Sequence, residues 1–268
     1  MRPFRQPQPS APVVFNQSPN QQALIQRINQ QSNRIQQIQS NISLELSGVP
    51  RLTGDLIIQR PDHLRLKAGI GGITELGIDV GSNSEVFWIW NKANLPGQPP
   101  PAIFYARQSE DRMLQQNAAI PVDPQWVIDS TGLIDFPADQ IHQGPYPDPS
   151  GRLKINSLRQ TREGTLTRVV YVDPQRALVE QQAFYDANNR LVAYANADKF
   201  EYFQEHDISL PRRIQLHLVQ ADGQILTLTI NASNFRINSF YGNPDQTWSL
   251  PNPDGIPLIN LADVPFQL

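Results

Sequence analysis

The sequence has no cysteine in its 268 residues. Disulfides, thiolate metal sites and cysteine nucleophiles are thereby excluded, although the compartment stays open. Charge is also sparse: only 18% of residues are Asp, Glu, Lys or Arg, and the formal net charge is −3. Nucleic-acid binders carry a basic patch and membrane-surface segments a polybasic run, and neither is present. Every apolar run falls far short of the roughly 20 residues needed to span a bilayer. The opening stretch MRPFRQPQPSAPVVFNQSPN lacks the apolar centre of a signal peptide.

Motifs for chemistry are missing too. The four histidines, His63, His142, His206 and His217, are scattered without paired metal spacing. There is no GxSxG and no P-loop. The glycine cluster GIGGITELG at Gly69 leads into a strand rather than a helix, which makes it a turn or bulge and not a dinucleotide loop. Asp135 and Asp139 flank a helix end, where solvation and capping account for them. The sequon at Asn231 lies inside a strand pattern. No catalytic residue, metal ligand or cofactor is expected, and no nucleic-acid partner.

What the chain does have is proline, 24 residues of it, together with Gln and Asn. Frequent proline cuts a chain into short elements and suits strands and turns. Residues 1–17 read as a flexible Pro/Gln-rich tether, of the kind expected where a signal peptide or lipid-bearing cysteine once stood upstream. Residues 18–268 read as one domain, large enough to bury a core without staples.

One helix is expected from Pro19 to Ser40, with Ser18 as N-cap and Gln21 completing a capping box. Leu24, Ile28, Ile35 and Ile38 form a narrow apolar stripe, widened by Ile25, on an otherwise neutral polar surface. Strand patterns follow through NISLELSG, GDLIIQ, HLRLKA, ITELGIDV, EVFWIW and AIFYAR. A short helix is expected over Asp123–Leu133. The Pro/Gly-rich stretch Phe136–Gly151 then reads as a long loop, a mobile lid element. Strands resume from Gly151 to Asn238, giving about 11 or 12 in a mainly β fold. A sheet of that size curls strongly.

Two local features stand out. In EVFWIW, Val86, Trp88 and Trp90 share one face while Phe87 and Ile89 share the other. A strand apolar on both faces is covered on both, as the centre of a core or the wall of an apolar pocket. In HLRLK, Arg65 lies between Leu64 and Leu66, and alternation groups it with His63 and Lys67.

The run Gly54, Leu56, Ile58, Arg60, Pro61, Leu64 and Arg65, followed by DVGSNSEVFWIW and closed by LPNPDGIPLINL, resembles the Lol-type carriers and receptors that localise bacterial lipoproteins. The similarity spans Gln21 to Leu261. It implies an unclosed, strongly curved antiparallel half-barrel with lid helices over an apolar concave face, and acyl chains entering between lid and sheet. By the same resemblance Arg65 points inward and bonds the lid. Arg65, Trp88, Trp90, Val86, Leu24, Ile28 and Ile35 would form the ligand-binding set. The implied protein is a non-catalytic, monomeric envelope carrier or tethered receptor in the periplasm or at the outer membrane. Its partners would be lipoprotein acyl chains, other lipid, the membrane surface, and donor or acceptor proteins. The loop at Leu95 is a candidate membrane-meeting tip. A lipid-sensing or protein-interaction domain, an enzyme acting on an apolar substrate, and a structural envelope protein are the alternatives.

Overall fold

The computed structural model describes residues 10–92, 100–107, 124–161, 164–220, 223–240 and 242–261. Its framework is one 14-stranded sheet. Strands β1 (Gln37–Leu46), β2 (Leu52–Gln59), β3 (His63–Ile70), β4 (Ile73–Ser82), β5 (Val86–Asn91) and β6 (Ala102–Arg107) form a first meander. A second comprises β7 (Ile141–Pro147), β8 (Leu153–Thr161), β9 (Gly164–Val172), β10 (Val179–Tyr185), β11 (Leu191–Phe203), β12 (Ile208–Val219) and β13 (Ile225–Ile237). Antiparallel pairing of β1 with β13 fuses the two. The short β14 (Leu258–Asn260) joins β6 in parallel. The spatial order runs β14-β6-β5-β4-β3-β2-β1-β13-β12-β11-β10-β9-β8-β7. The sheet curves strongly without closing, and the helical segments Gln21–Asn33 and Pro124–Leu133 lie over its concave face.

The register defines that face. Ile58, Leu64 and Ser82 stand opposite one another, as do Leu56, Leu66 and Val80. Across the seam, Leu44 faces Ile230, which faces Ile214. A strand period of two keeps these residues on one side. Tight curvature needs close backbone approach, and Gly69 directly faces Gly77. A Cβ on Gly69 would fall 1.9 Å from the carbonyl oxygen of Ile73.

Three elements differ from the sequence reading. The first helix, α1, spans Gln21–Asn33 with Asn20 as its N-cap, whose side chain accepts from the Ala23 N–H. It is therefore shorter than expected at both ends, and Ser18 is not the cap. From Gln37 onward the chain is captured by β2 and β13, with Ile38 opposite both Ile58 and Ile237. Asn238 Oδ1 accepts from the Gln36 and Gln37 N–H groups and ties down the junction. Long-range pairing thus overrides local helical spacing. Second, the expected lid loop Phe136–Gly151 contains β7. Its prolines, Pro145 and Pro147, are tolerated because β7 is an edge strand with one side free of ladder bonds. Third, the short helix becomes α2 (Pro124–Ile128) continued by a π-helical turn, Asp129–Leu133, in which Gly132 adopts φ 94°. Asp123, its expected cap, lies outside the described residues.

Part of the N-terminal segment is docked. The backbone N–H groups of Val14 and Phe15 donate to the Gln175 carbonyl at 2.8 and 3.0 Å.

Candidate functional site

The concave floor is one buried apolar surface drawn from both meanders. Leu56, Ile58, Leu64 and Leu66 contribute from one side, Ile214 and Ile230 from the other. Its roof is short: Trp126, Val127 and Ile128 of α2 and Leu133 of the π turn. Trp126 meets Phe184 of β10 edge-on, with centroids 5.9 Å apart. A second cluster lies under α1, where Leu24 and Ile28 pack on Leu153, Ile155, Val170 and Val172. Ile35, just past the helix, belongs to the main floor cluster. The three aliphatic residues singled out in the helix therefore lie on the concave side.

Polar side chains hold the roof. Arg168 of β9 donates to Asp129 Oδ2 at 2.8 Å and to the Asp135 carbonyl at 2.6 Å, with its guanidinium 5.2 Å from the centre of the Phe136 ring. Asp129 also accepts from Gln125 Nε2 at 2.8 Å. Burial pulls the Arg168 pKa down from the ordinary guanidinium value, while the Asp129 and Asp135 carboxylates oppose it. Arg60 donates to the Ser32 carbonyl at 2.8 Å, to Asn33 Oδ1 at 3.1 Å and to Asp135 Oδ2 at 3.1 Å. It thus joins the end of α1 to the segment after the π turn. Asn29 both donates to the Phe136 carbonyl and accepts from its N–H, at 3.0 and 2.9 Å. Ser32 Oγ donates to the Ile134 carbonyl.

Arg65 is on the other side of the sheet. It stands in a row with Gly81 and Trp88, out of phase with Leu64 and Leu66. The inward orientation implied by the resemblance is thereby corrected: strand alternation prevails. Arg65 is nonetheless only 4% exposed, because the C-terminal part of the chain covers this convex face. Arg65 donates to the Thr247 and Ser249 carbonyls, both at 3.0 Å, at the end of α3 (Pro244–Trp248). It meets Asp79 through Nε–Oδ1 at 2.6 Å and Nη2–Oδ2 at 2.7 Å. Its guanidinium lies 4.9 Å from the centre of the Trp88 ring. Trp88, Trp90 and Val86 share this rear face, with Lys92 Nζ 4.6 Å from the Trp90 ring centre. A Cβ on Gly81 would lie 2.1 Å from the Trp88 ring, so the glycine is the seat of that indole. The structure therefore splits the expected ligand set: Leu24, Ile28 and Ile35 under or beside the lid, and Arg65, Trp88, Trp90 and Val86 behind the sheet.

The lid-bonding role expected of Arg65 falls instead to Arg60, five positions earlier in the same run, and to Arg168. The second was readable. In TLTRVVYV, Arg168 is in phase with the buried Val170 and Val172, the reverse of Arg65 among its leucines.

His142 and Ser157 form a cross-strand pair, with Nδ1 and Oγ 2.9 Å apart. The other ring nitrogen meets the Pro137 carbonyl rather than a carboxylate. No group of three or more potential metal ligands occurs among the described residues. No helix among them is long and apolar enough to cross a membrane. Leu95 lies outside them.

Solved structures share this architecture. The putative outer membrane lipoprotein-sorting protein domain from Vibrio parahaemolyticus is 12% identical, with a TM-score of 0.52 over 82% of this chain and 94% of that one. This is a Lol-type fold. A DUF1329 family protein from Desulfovibrio piger is similar at 14% identity and a TM-score of 0.51, covering 85% of this chain and 95% of that one. The LolA superfamily protein from Nitrosomonas europaea aligns at 14% identity and a TM-score of 0.49, over 84% and 97%. No protein-family model matches the chain, and no curated protein matches it. In the Lol-type frame, α1 and the α2–π segment are the lid and the β1–β3/β11–β13 surface is the floor.

Proposed function

We propose that this protein is a non-catalytic binder of lipid acyl chains at the bacterial envelope, a carrier or a membrane-tethered receptor for acylated proteins. The observation that carries the reading is the asymmetry between floor and roof. A broad apolar floor built from six strands is covered by four apolar side chains, Trp126, Val127, Ile128 and Leu133, of a ten-residue segment, which polar side chains hold in place. A core meant only for stability is normally closed by a second layer with its own apolar face.

The energetics constrain how such a chain enters. Each buried methylene contributes about 0.8 kcal/mol, while exposing Trp126, Ile128 and Leu133 to water would cost on the order of 1.5–3 kcal/mol each. A chain of about ten methylenes therefore gains little if the roof side chains swing into solvent. It gains substantially if they transfer from floor to acyl chain, so the lid rises and stays in contact. The contacts that must break are those of Arg60 and Arg168, which makes opening a switch between two held states. Methylene burial is non-directional, and selectivity among chains should be loose. The name of the Vibrio neighbour, an outer membrane lipoprotein-sorting domain, supports lipoprotein acyl groups as cargo and the periplasmic side of the envelope as the location.

The test is native mass spectrometry of the protein isolated from an envelope fraction, with organic extraction of what it carries. A co-purifying fatty acid, phospholipid or acylated peptide is expected. A ligand-free mass that persists after incubation with phospholipid and fatty acid overturns the proposal.

A further inference from the structure

The apolar interior of the hollow falls into two clusters. The first is the floor beneath the α2–π segment. The second lies beneath α1, where Leu24 and Ile28 close over β8 and β9. The lid divides at one point in the chain: Leu133 belongs to the first cluster, and Ile134, the next residue, to the second. The second roof is held as the first is, by polar side chains. Asn29 exchanges two hydrogen bonds with the Phe136 backbone, and Ser32 Oγ donates to the Ile134 carbonyl.

A polar residue lies at the same divide in the sheet. Ile155, Val170, Gln182, Ala195 and Leu216 form a single cross-strand row from β8 to β12. Ile155 and Val170 belong to the second cluster, Ala195 and Leu216 to the first. Gln182 stands between them on the concave side. It is 2% exposed, and its Oε1 has no hydrogen-bond partner among the described residues. A leucine at this position would merge the clusters into one core. The amide separates them instead and leaves a desolvated acceptor, at a cost in stability. Breaks of a packing rule of this kind are concentrated at functional sites.

We infer that the hollow holds two acyl compartments, and that Gln182 positions the hydrogen-bonding junction of a lipid whose two chains part there, one under each section of the lid. The inference rests on the acyl-chain reading above and specifies the shape of its ligand. An acceptor calls for a donor, so the junction carries a hydroxyl or an amide N–H close to the point where the chains diverge. Arg60 ties the two lid sections together through the Ser32 carbonyl and Asp135, which suits a ligand that occupies both compartments at once.

The test is native mass spectrometry with competition binding on the full chain, below aggregation concentrations. Dodecanoate is the single-chain probe and 1,2-dioctanoylglycerol the two-chain probe. The 3-O-methyl ether of the latter keeps both chains and lacks the donor. Two dodecanoates per protein are expected, both displaced by one dioctanoylglycerol. The free hydroxyl should bind about fivefold more tightly than the ether, the worth of one hydrogen bond. In Gln182→Leu that preference should vanish, while the variant melts no earlier than the parent by circular dichroism. Saturation by a single dodecanoate overturns the two compartments and leaves the acyl-chain reading intact. Failure of every probe overturns the acyl-chain reading itself. Equal binding of hydroxyl and ether, or a preference that survives in Gln182→Leu, overturns the role of Gln182. So does a variant that melts earlier, because the amide is then already satisfied within the fold.

Discussion

Replacing Arg168 by Met keeps a long apolar side chain over Phe136 and removes the guanidinium. The Asp129 side chain, 6% exposed, loses the guanidinium while keeping the hydrogen bond from Gln125 Nε2. Breaking a buried ion pair from one side costs about 3–5 kcal/mol, because the surviving charge stays desolvated. The protein can escape part of that cost by letting Asp129 reach water, which means raising the α2–π segment. The loss should therefore appear as local opening before global unfolding. About 3 kcal/mol corresponds to roughly a hundredfold shift in an opening equilibrium. Amide exchange across residues 124–136 should accelerate by at least tenfold in Arg168→Met, while β1–β3 and β11–β13 exchange as in the parent. The double variant Arg168→Met/Asp129→Leu removes both charges and should recover most of the protection, since an apolar pair of similar volume often replaces a buried ion pair without loss. Exchange over 124–136 unchanged within twofold in the single variant would refute the latch. So would a double variant as exposed as the single one.

The rear face should respond differently. Arg65→Leu leaves Asp79, 1% exposed, without its bidentate partner, with Lys92 Nζ at 3.8 Å and the cross-strand Lys67 as the remaining cations nearby, and should cost about 3–5 kcal/mol. Limited proteolysis should then release residues 242–261 while exchange over 124–136 stays as in the parent; a faster lid would return Arg65 to the lid mechanism. Gly81→Ala places a methyl 2.1 Å from the Trp88 ring and should lower urea-unfolding stability by about 1–3 kcal/mol through overpacking, whereas an unchanged midpoint would mean the indole has room to move. Asp207 links the end of α1 to the β11–β12 turn, and a hydrogen bond from Arg34, with further help from Tyr202, holds its carboxyl below the ordinary carboxylate range. Its folded-state pKa is depressed, so its contribution is present above the unfolded-state value and lost as pH falls through the folded-state one. The melting-temperature gap between the parent and Asp207→Asn should close on acidification; a gap that widens contradicts that assignment.

The strand framework was largely readable because each strand combines alternation with a turn signal at its ends, as in HLRLKAGIGGITELG. β7 was hidden: an edge strand needs neither alternation nor an absence of proline, so HQGPYP reads as loop. The extent of α1 was hidden for a different reason, since the apolar spacing continues from Ile28 through Ile35 to Ile38 and only pairing with β2 and β13 ends the helix. At the site, phase was the informative signal. Arg168 shares the phase of Val170 and Val172 and faces the lid; Arg65 opposes the phase of Leu64 and Leu66 and faces away. What no local pattern reveals is that the convex side at Arg65 is also covered. The cover comes from Thr247 and Ser249, 182 and 184 residues further along. A buried arginine thus had two possible interiors to belong to, and the chain used the rear one.

All four tryptophans are described, and they divide cleanly between the faces: Trp126 in the roof, and Trp88, Trp90 and Trp248 behind the sheet. Fluorescence quenching by a brominated fatty acid, which acts at contact range, therefore reports which face an acyl chain occupies. Binding under the lid predicts quenching in the parent that disappears in Trp126→Phe, with the emission of the three rear indoles untouched. Quenching that persists undiminished in Trp126→Phe would put the chain on the rear face and contradict the lid-and-floor account.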